Sequence, residues 1–156
     1  MKYIECPKEY IKDNKDGLLL FMAGGITGCS NWQDELARMF KDEDIVLLNP
    51  RRKSFSEYDP DIDKQQIFWE YTYLKLADAT SFWFTKETLC PITLYELGKQ
   101  LASDKPVFIG VHPDYARRND LEIQVGLIRP EIQIVYDLEL LARQVKEWIR
   151  QGNSVD

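Results

Sequence analysis

Two glutamates stand where a carboxylate can do covalent or acid–base chemistry. Glu96 lies in Pro91-Ile92-Thr93-Leu94-Tyr95-Glu96-Leu97-Gly98, which follows the apolar, aromatic run Ala79–Thr85 and reads as a helix start. That order puts Glu96 one turn in from the C-terminal edge of a parallel strand, the edge at which open α/β sheets bind ligands. A carboxylate there can be a nucleophile, a base or an ordinary helix-surface group. Lys99, Gln100 and Ser103 share its face, so periodicity gives it no mark. Glu70 is marked. In the helix expected over about Ile62–Ala77 it falls with Ile67, Leu74 and Ala77 on the apolar stripe, where an unpaired carboxylate is costly. It faces a polar cleft or sits at the boundary of the core.

Two loops could serve the same edge. Ala23-Gly24-Gly25-Ile26-Thr27-Gly28 follows an apolar run, and its glycines would let backbone amides approach an anion closely. It fits neither the phosphate-loop nor the dinucleotide-loop spacing, so an anion-binding loop and a plain strand-to-helix turn both remain open. In Asn49-Pro50-Arg51-Arg52, the arginines are either a fork for phosphate or carboxylate or solvated loop charges. Trp32 and Trp83 either sandwich a flat ligand or pack in the core.

The elements that must position these residues alternate along the chain. Gly17–Ala23, Asp44–Leu48, Ala79–Thr85, Pro106–Val111 and the short Ile132–Val135 read as strands. Helices are expected from an Asn31 cap to about Lys41, over Ile62–Ala77 after a polar loop Lys53–Asp61, over Ile92–Ser103, near Asp120–Leu127 and over Leu138–Arg150. This alternation predicts an α/β fold: a flavodoxin-like five-stranded parallel sheet, order 2-1-3-4-5, helices on both faces, and a crevice beside the first and third strands. The 156 residues suit one domain, with an N-terminal extension over 1–16 and a frayed tail over 151–156. A net charge of −6 argues against nucleic acid or an anionic membrane as partner. Three cysteines without a CxxC pair and a single histidine argue against a metal site and for a reducing, cytoplasmic setting.

Taken in order, Leu20-Phe21-Met22-Ala23-Gly24-Gly25-Ile26, Asn49-Pro50-Arg51, Trp69-Glu70, Ala77-Asp78, Thr93-Leu94-Tyr95-Glu96-Leu97-Gly98 and Lys105-Pro106-Val107 resemble the nucleoside 2-deoxyribosyltransferase superfamily, in particular its deoxyribosyltransferase-like branch. The similarity spans roughly residues 17–125. It implies a flavodoxin-like fold and cleavage of the N-glycosidic bond of a 2′-deoxynucleoside, with the sugar passed to another base or to water. It implies that Glu96 is the nucleophile and that Glu70, eight residues before Asp78, contacts the nucleoside. By the same resemblance Gly24, Gly25, Ile26, Asn49, Arg51 and Thr93 line the substrate site, no cofactor is required, and copies of the chain assemble as a homodimer or higher homo-oligomer. One departure is visible: six positions before the nucleophile, where transferases of the family commonly carry an acidic residue, stands Cys90.

The leading expectation is therefore retaining N-glycoside transfer through a glycosyl ester on Glu96. A hydrolase of a nucleoside monophosphate or other N-ribosyl nucleotide would use the same pair, with Gly24, Gly25 and Arg51 holding phosphate. A non-catalytic nucleotide- or flavin-binding module is the reading from another class.

Overall fold

In the computed structural model, which describes residues 1–53 and 60–152, the elements run β1 (Lys2–Glu5), β2 (Leu18–Gly24), α1 (Trp32–Arg38), β3 (Ile45–Asn49), α2 (Pro60–Leu76), β4 (Ala79–Phe84), α3 (Pro91–Leu101), β5 (Val107–Val111), α4 (Arg118–Ile128) and α5 (Leu138–Gly152). The five strands form one parallel sheet in the order β1-β3-β2-β4-β5. The run β3-β2-β4-β5 follows the expected order. The fifth strand is elsewhere: of Ile132–Val135 only Val135 reaches the sheet, as a single bridge to Gly110. Lys2–Glu5, read as part of an extension, instead forms the edge strand beside β3.

Burial on both faces explains the apolar runs. One face carries Leu19, Phe21, Val46, Leu48, Phe82 and Ile109 beneath α2, α3 and α4. The other carries Leu20, Met22, Leu47 and Trp83 beneath α1 and α5. Helix α1 starts as its sequence asks, with the Asn31 side chain accepting from the Asp34 amide. Asp78 fixes the turn from α2 into β4 by accepting from the Leu19 amide at 2.8 Å.

Residues 6–16 join β1 to β2 as a strap pinned to α2. The Trp69 indole donates to the Lys8 carbonyl at 2.8 Å, and Tyr73 Oη accepts from the Tyr10 amide at 2.5 Å. The loop expected over Lys53–Asp61 lies largely outside the described residues. So does most of the expected tail, of which Gln151 and Gly152 belong to α5. Among the described residues no helix is long and apolar enough to cross a membrane.

Candidate active site

The chain leaves β2 for α1 on one face and β3 for α2 on the other, so crossovers diverge between β2 and β4. A crevice opens there at the C-terminal ends of the strands. It holds a cavity of about 500 Å³ whose wall includes Gly24 and Gly25 after β2, Gln66 and Glu70 from α2, and Thr93 and Glu96 from α3.

Each wall has a local cause. Gly24 is required by packing: a Cβ there would lie 2.5 Å from the Trp83 carbonyl oxygen and collide with the Trp32 ring. A Cβ on Gly25 would meet Cys29 Sγ and Thr85 Oγ1 at 2.8 Å and Cys90 Sγ at 3.1 Å, so glycine keeps this end of β2 close to the α3 side. Cys90 turns the chain into α3 with φ of 49°, a conformation uncommon outside glycine, and Pro91 opens the helix. This turn delivers Thr93, buried, and Glu96, half-buried, to the cavity.

The two carboxylates act on each other. Burial, and then repulsion from Glu70, push Glu96 up to about 8, against the pull of Lys99. Burial also raises Glu70, while an N–H from Gln66 and the charge of Arg52 favour its ionised form. Glu70 is half-buried at the cavity wall, and the stripe drawn through it from the sequence needs correction. Ile67 is 64% exposed, and the buried side of α2 is made by Trp69, Tyr73 and Leu74.

Asn49 and Arg51 do not reach the cavity wall. Asn49 is buried, donating to Tyr3 Oη at 2.7 Å and accepting from the Arg51 amide at 2.9 Å. Arg51 turns its fork inward. Its Nη2 donates to the carbonyls of Ile26 at 3.1 Å, Cys29 at 3.2 Å and Ser30 at 2.9 Å, and its Nε to Gln33 Oε1 at 3.0 Å. The arginine thus shapes the loop that carries Gly25 and Ile26, with Nε and Nη2 both donating within the protein. Trp32 and Trp83 are core side chains, 1% and 7% exposed. Among the described residues no Lys, Arg or His lines the cavity, whereas Asp63 does. No group of three or more His, Cys, Asp or Glu side chains there could hold a metal ion. Gln66 and Asp63 escaped the sequence reading, although Gln66 stands one helical turn before Glu70 and shares its face.

Among solved structures, a conserved protein from Enterococcus faecalis V583 is similar in fold, with a TM-score of 0.61 and 18% identity over 84% of this chain and 98% of that one. No curated protein matches the chain. The sequence model of the family described as "Nucleoside 2-deoxyribosyltransferase like" matches residues 17–115, a segment that contains β2 to β5, the glycine loop and both glutamates. With more than half of its length matched, the chain belongs to the nucleoside 2-deoxyribosyltransferase-like family.

Proposed function

We propose that the protein cleaves the N-glycosidic bond of a 2′-deoxynucleoside by retaining transfer, with Glu96 as nucleophile. The observation that supports this best is the meeting of Glu96 and Glu70 at one cavity on the ligand-binding edge of the sheet. The ionised Glu96 carboxylate attacks C1′ and forms an ester. The C1′–N bond breaks, and its electron pair leaves with the base, which takes up a proton. A second base or water then attacks C1′ and frees Glu96. The sugar gains positive charge in the transition state, and Glu70 stabilises it electrostatically. An acid quench followed by intact-mass measurement should find the sugar ester on Glu96. A base released with full turnover and no trace of that ester in rapid-quench samples would count against covalent transfer.

The substrate class follows from charge. With Arg51 donating to backbone carbonyls and no Lys, Arg or His at the cavity wall among the described residues, a 5′-phosphate meets the carboxylates of Asp63 and Glu70 without a cation to offset them. Base release from a deoxynucleoside is therefore expected to exceed that from its 5′-monophosphate by roughly tenfold or more in kcat/KM. Equal or reversed rates would return the phosphate reading to first place.

Assembly belongs to the same reading. Ile67, Phe68 and Tyr71 of α2 and Ile92 and Tyr95 of α3 are all more than half exposed, and the Lys99 ammonium bridges the Tyr71 and Tyr95 rings at 5.4 and 5.5 Å. An apolar surface of this kind suits contact between copies of the chain. Light scattering should report a dimer or larger species, converted to monomer by Phe68→Asp combined with Tyr95→Asp. A monomeric wild type at high protein concentration would remove this part of the proposal.

A further inference from the structure

Gln66 stands behind Glu70, and its amide is saturated. Its Oε1 accepts from Arg52 Nε at 2.7 Å and from the Cys6 thiol at 2.9 Å. Its Nε2 donates to the Pro50 carbonyl at 2.7 Å and to Glu70 Oε1 at 2.7 Å. These partners leave one orientation, because a guanidinium N–H only donates, while a carbonyl and an ionised carboxylate only accept. A flipped amide would set its oxygen against two acceptors and its NH₂ against a cation. Arg52 is anchored in turn, its Nη2 donating to Gln65 Oε1 at 3.0 Å. The ends of β1 and β3 are thereby tied to α2 through one side chain.

Taking Glu70 and Glu96 as the reacting pair, we propose that Gln66 is a positioning residue: clamped by Arg52, it holds the Glu70 carboxylate in the cavity shared with Glu96 and sets the order in which the two ionise. The groups around the pair come from several elements. Arg52, after β3, favours the Glu70 anion, and Lys99 on α3 favours the Glu96 anion. Asp63 on α2 and the Cys90 thiol before α3 line the same cavity, and Cys6 after β1 touches Gln66. Burial opposes both carboxylates. Of the two, Glu70 has the amide N–H aimed at it, so it ionises first, and its charge then keeps the proton on Glu96. Remove that N–H and the order shifts: Glu70 holds its proton longer, and Glu96 is released to ionise at lower pH.

The test is a carboxyl ¹³C NMR titration of glutamate-labelled protein, assigned with Glu70→Gln and Glu96→Gln. In the wild type the late-titrating carboxyl should be Glu96. In Gln66→Leu it should titrate lower by ~1 pH unit or more, with Glu70 moving up. The pH at which kcat/KM for base release rises should fall with it, while the maximal rate drops by roughly tenfold. Arg52→Gln should reproduce the shift in smaller measure and Arg52→Lys should restore it, which keeps the question decidable if Gln66→Leu folds poorly. Titrations left in place by Gln66→Leu and Arg52→Gln, whatever happens to activity, would reduce Gln66 to a structural tie and overturn the proposal. The titrations need no substrate, so the two failures are separable. Base release that survives Glu96→Gln defeats the catalytic reading alone, and unmoved titrations beside an inactive Glu96→Gln defeat the role of Gln66 alone.

Discussion

Glu96→Gln is expected to lose base release by on the order of 10³-fold or more and, at the same time, to become more stable than the wild type in alkaline solution. An amide is a poor nucleophile, which accounts for the first effect. The second follows from linkage. The folded protein holds the Glu96 proton up to about 8, well above the ordinary range of a glutamate. Between those limits the native state binds more protons than the unfolded chain, so wild-type stability falls as pH rises through that window. Glutamine carries no charge to desolvate and escapes the fall. At about 1.4 kcal/mol per pKa unit, the gain at pH 9 amounts to a few kcal/mol, and it vanishes near pH 4, where the wild-type carboxyl is protonated in both states. Thermal unfolding of the two proteins across pH checks the sign. Parallel curves would show that Glu96 is solvated and the cavity open to water, whatever the kinetics say.

Trp32→Ala should cost about 3–5 kcal/mol of stability, the range for removing a large buried aromatic. The indole is 1% exposed among Met22, Leu36 and Phe40, and its Nε1 donates to the Gly25 carbonyl at 2.8 Å. Its ring also fills the space beside Gly24. Truncation therefore opens a cavity in the α1 layer and orphans a carbonyl in the loop that forms the active-site wall. Trp32→Phe keeps much of the packing and loses the donor, for about 1–2 kcal/mol. Urea unfolding distinguishes the two roles considered for this residue. A Trp32→Ala protein with the wild-type midpoint and a raised KM would make the ring a stacking platform for the base after all.

How legible these features are in the sequence depends on whether their cause is local. Strands β2 to β5 carry their own evidence, because burial on both faces leaves nearly continuous apolar runs. Lys2–Glu5 has no such run: as an edge strand it buries only Ile4, and nothing local separates it from a charged extension. Ile132–Val135 has strand-like residue types, but the chain turns into α5 before a second pair can form beside Gly110. At the site, helical position marks Glu70 through a stripe that is only partly buried, since α2 carries apolar side chains on its outward face as well. The fork chemistry of Arg51 was readable, and its partners were not, because the carbonyls it binds are brought to it by the path of another loop. Glu96 gained its standing from resemblance and from the buried pocket in which the fold sets it.

The strap over residues 6–16 gives the chain's opening segment a share in the site. Trp69 and Tyr73, one turn and two turns below Gln66 on α2, hold Lys8 and Tyr10, and Cys6 touches Gln66 directly. All of these strap residues precede the segment shared with the family, which begins at residue 17. Joined by these hydrogen bonds, the strap and α2 are expected to open as one cooperative unit, which amide hydrogen exchange would show as a common protection. The frame that steadies the Glu70 carboxylate is thus supplied in part by residues that lie before the matched segment.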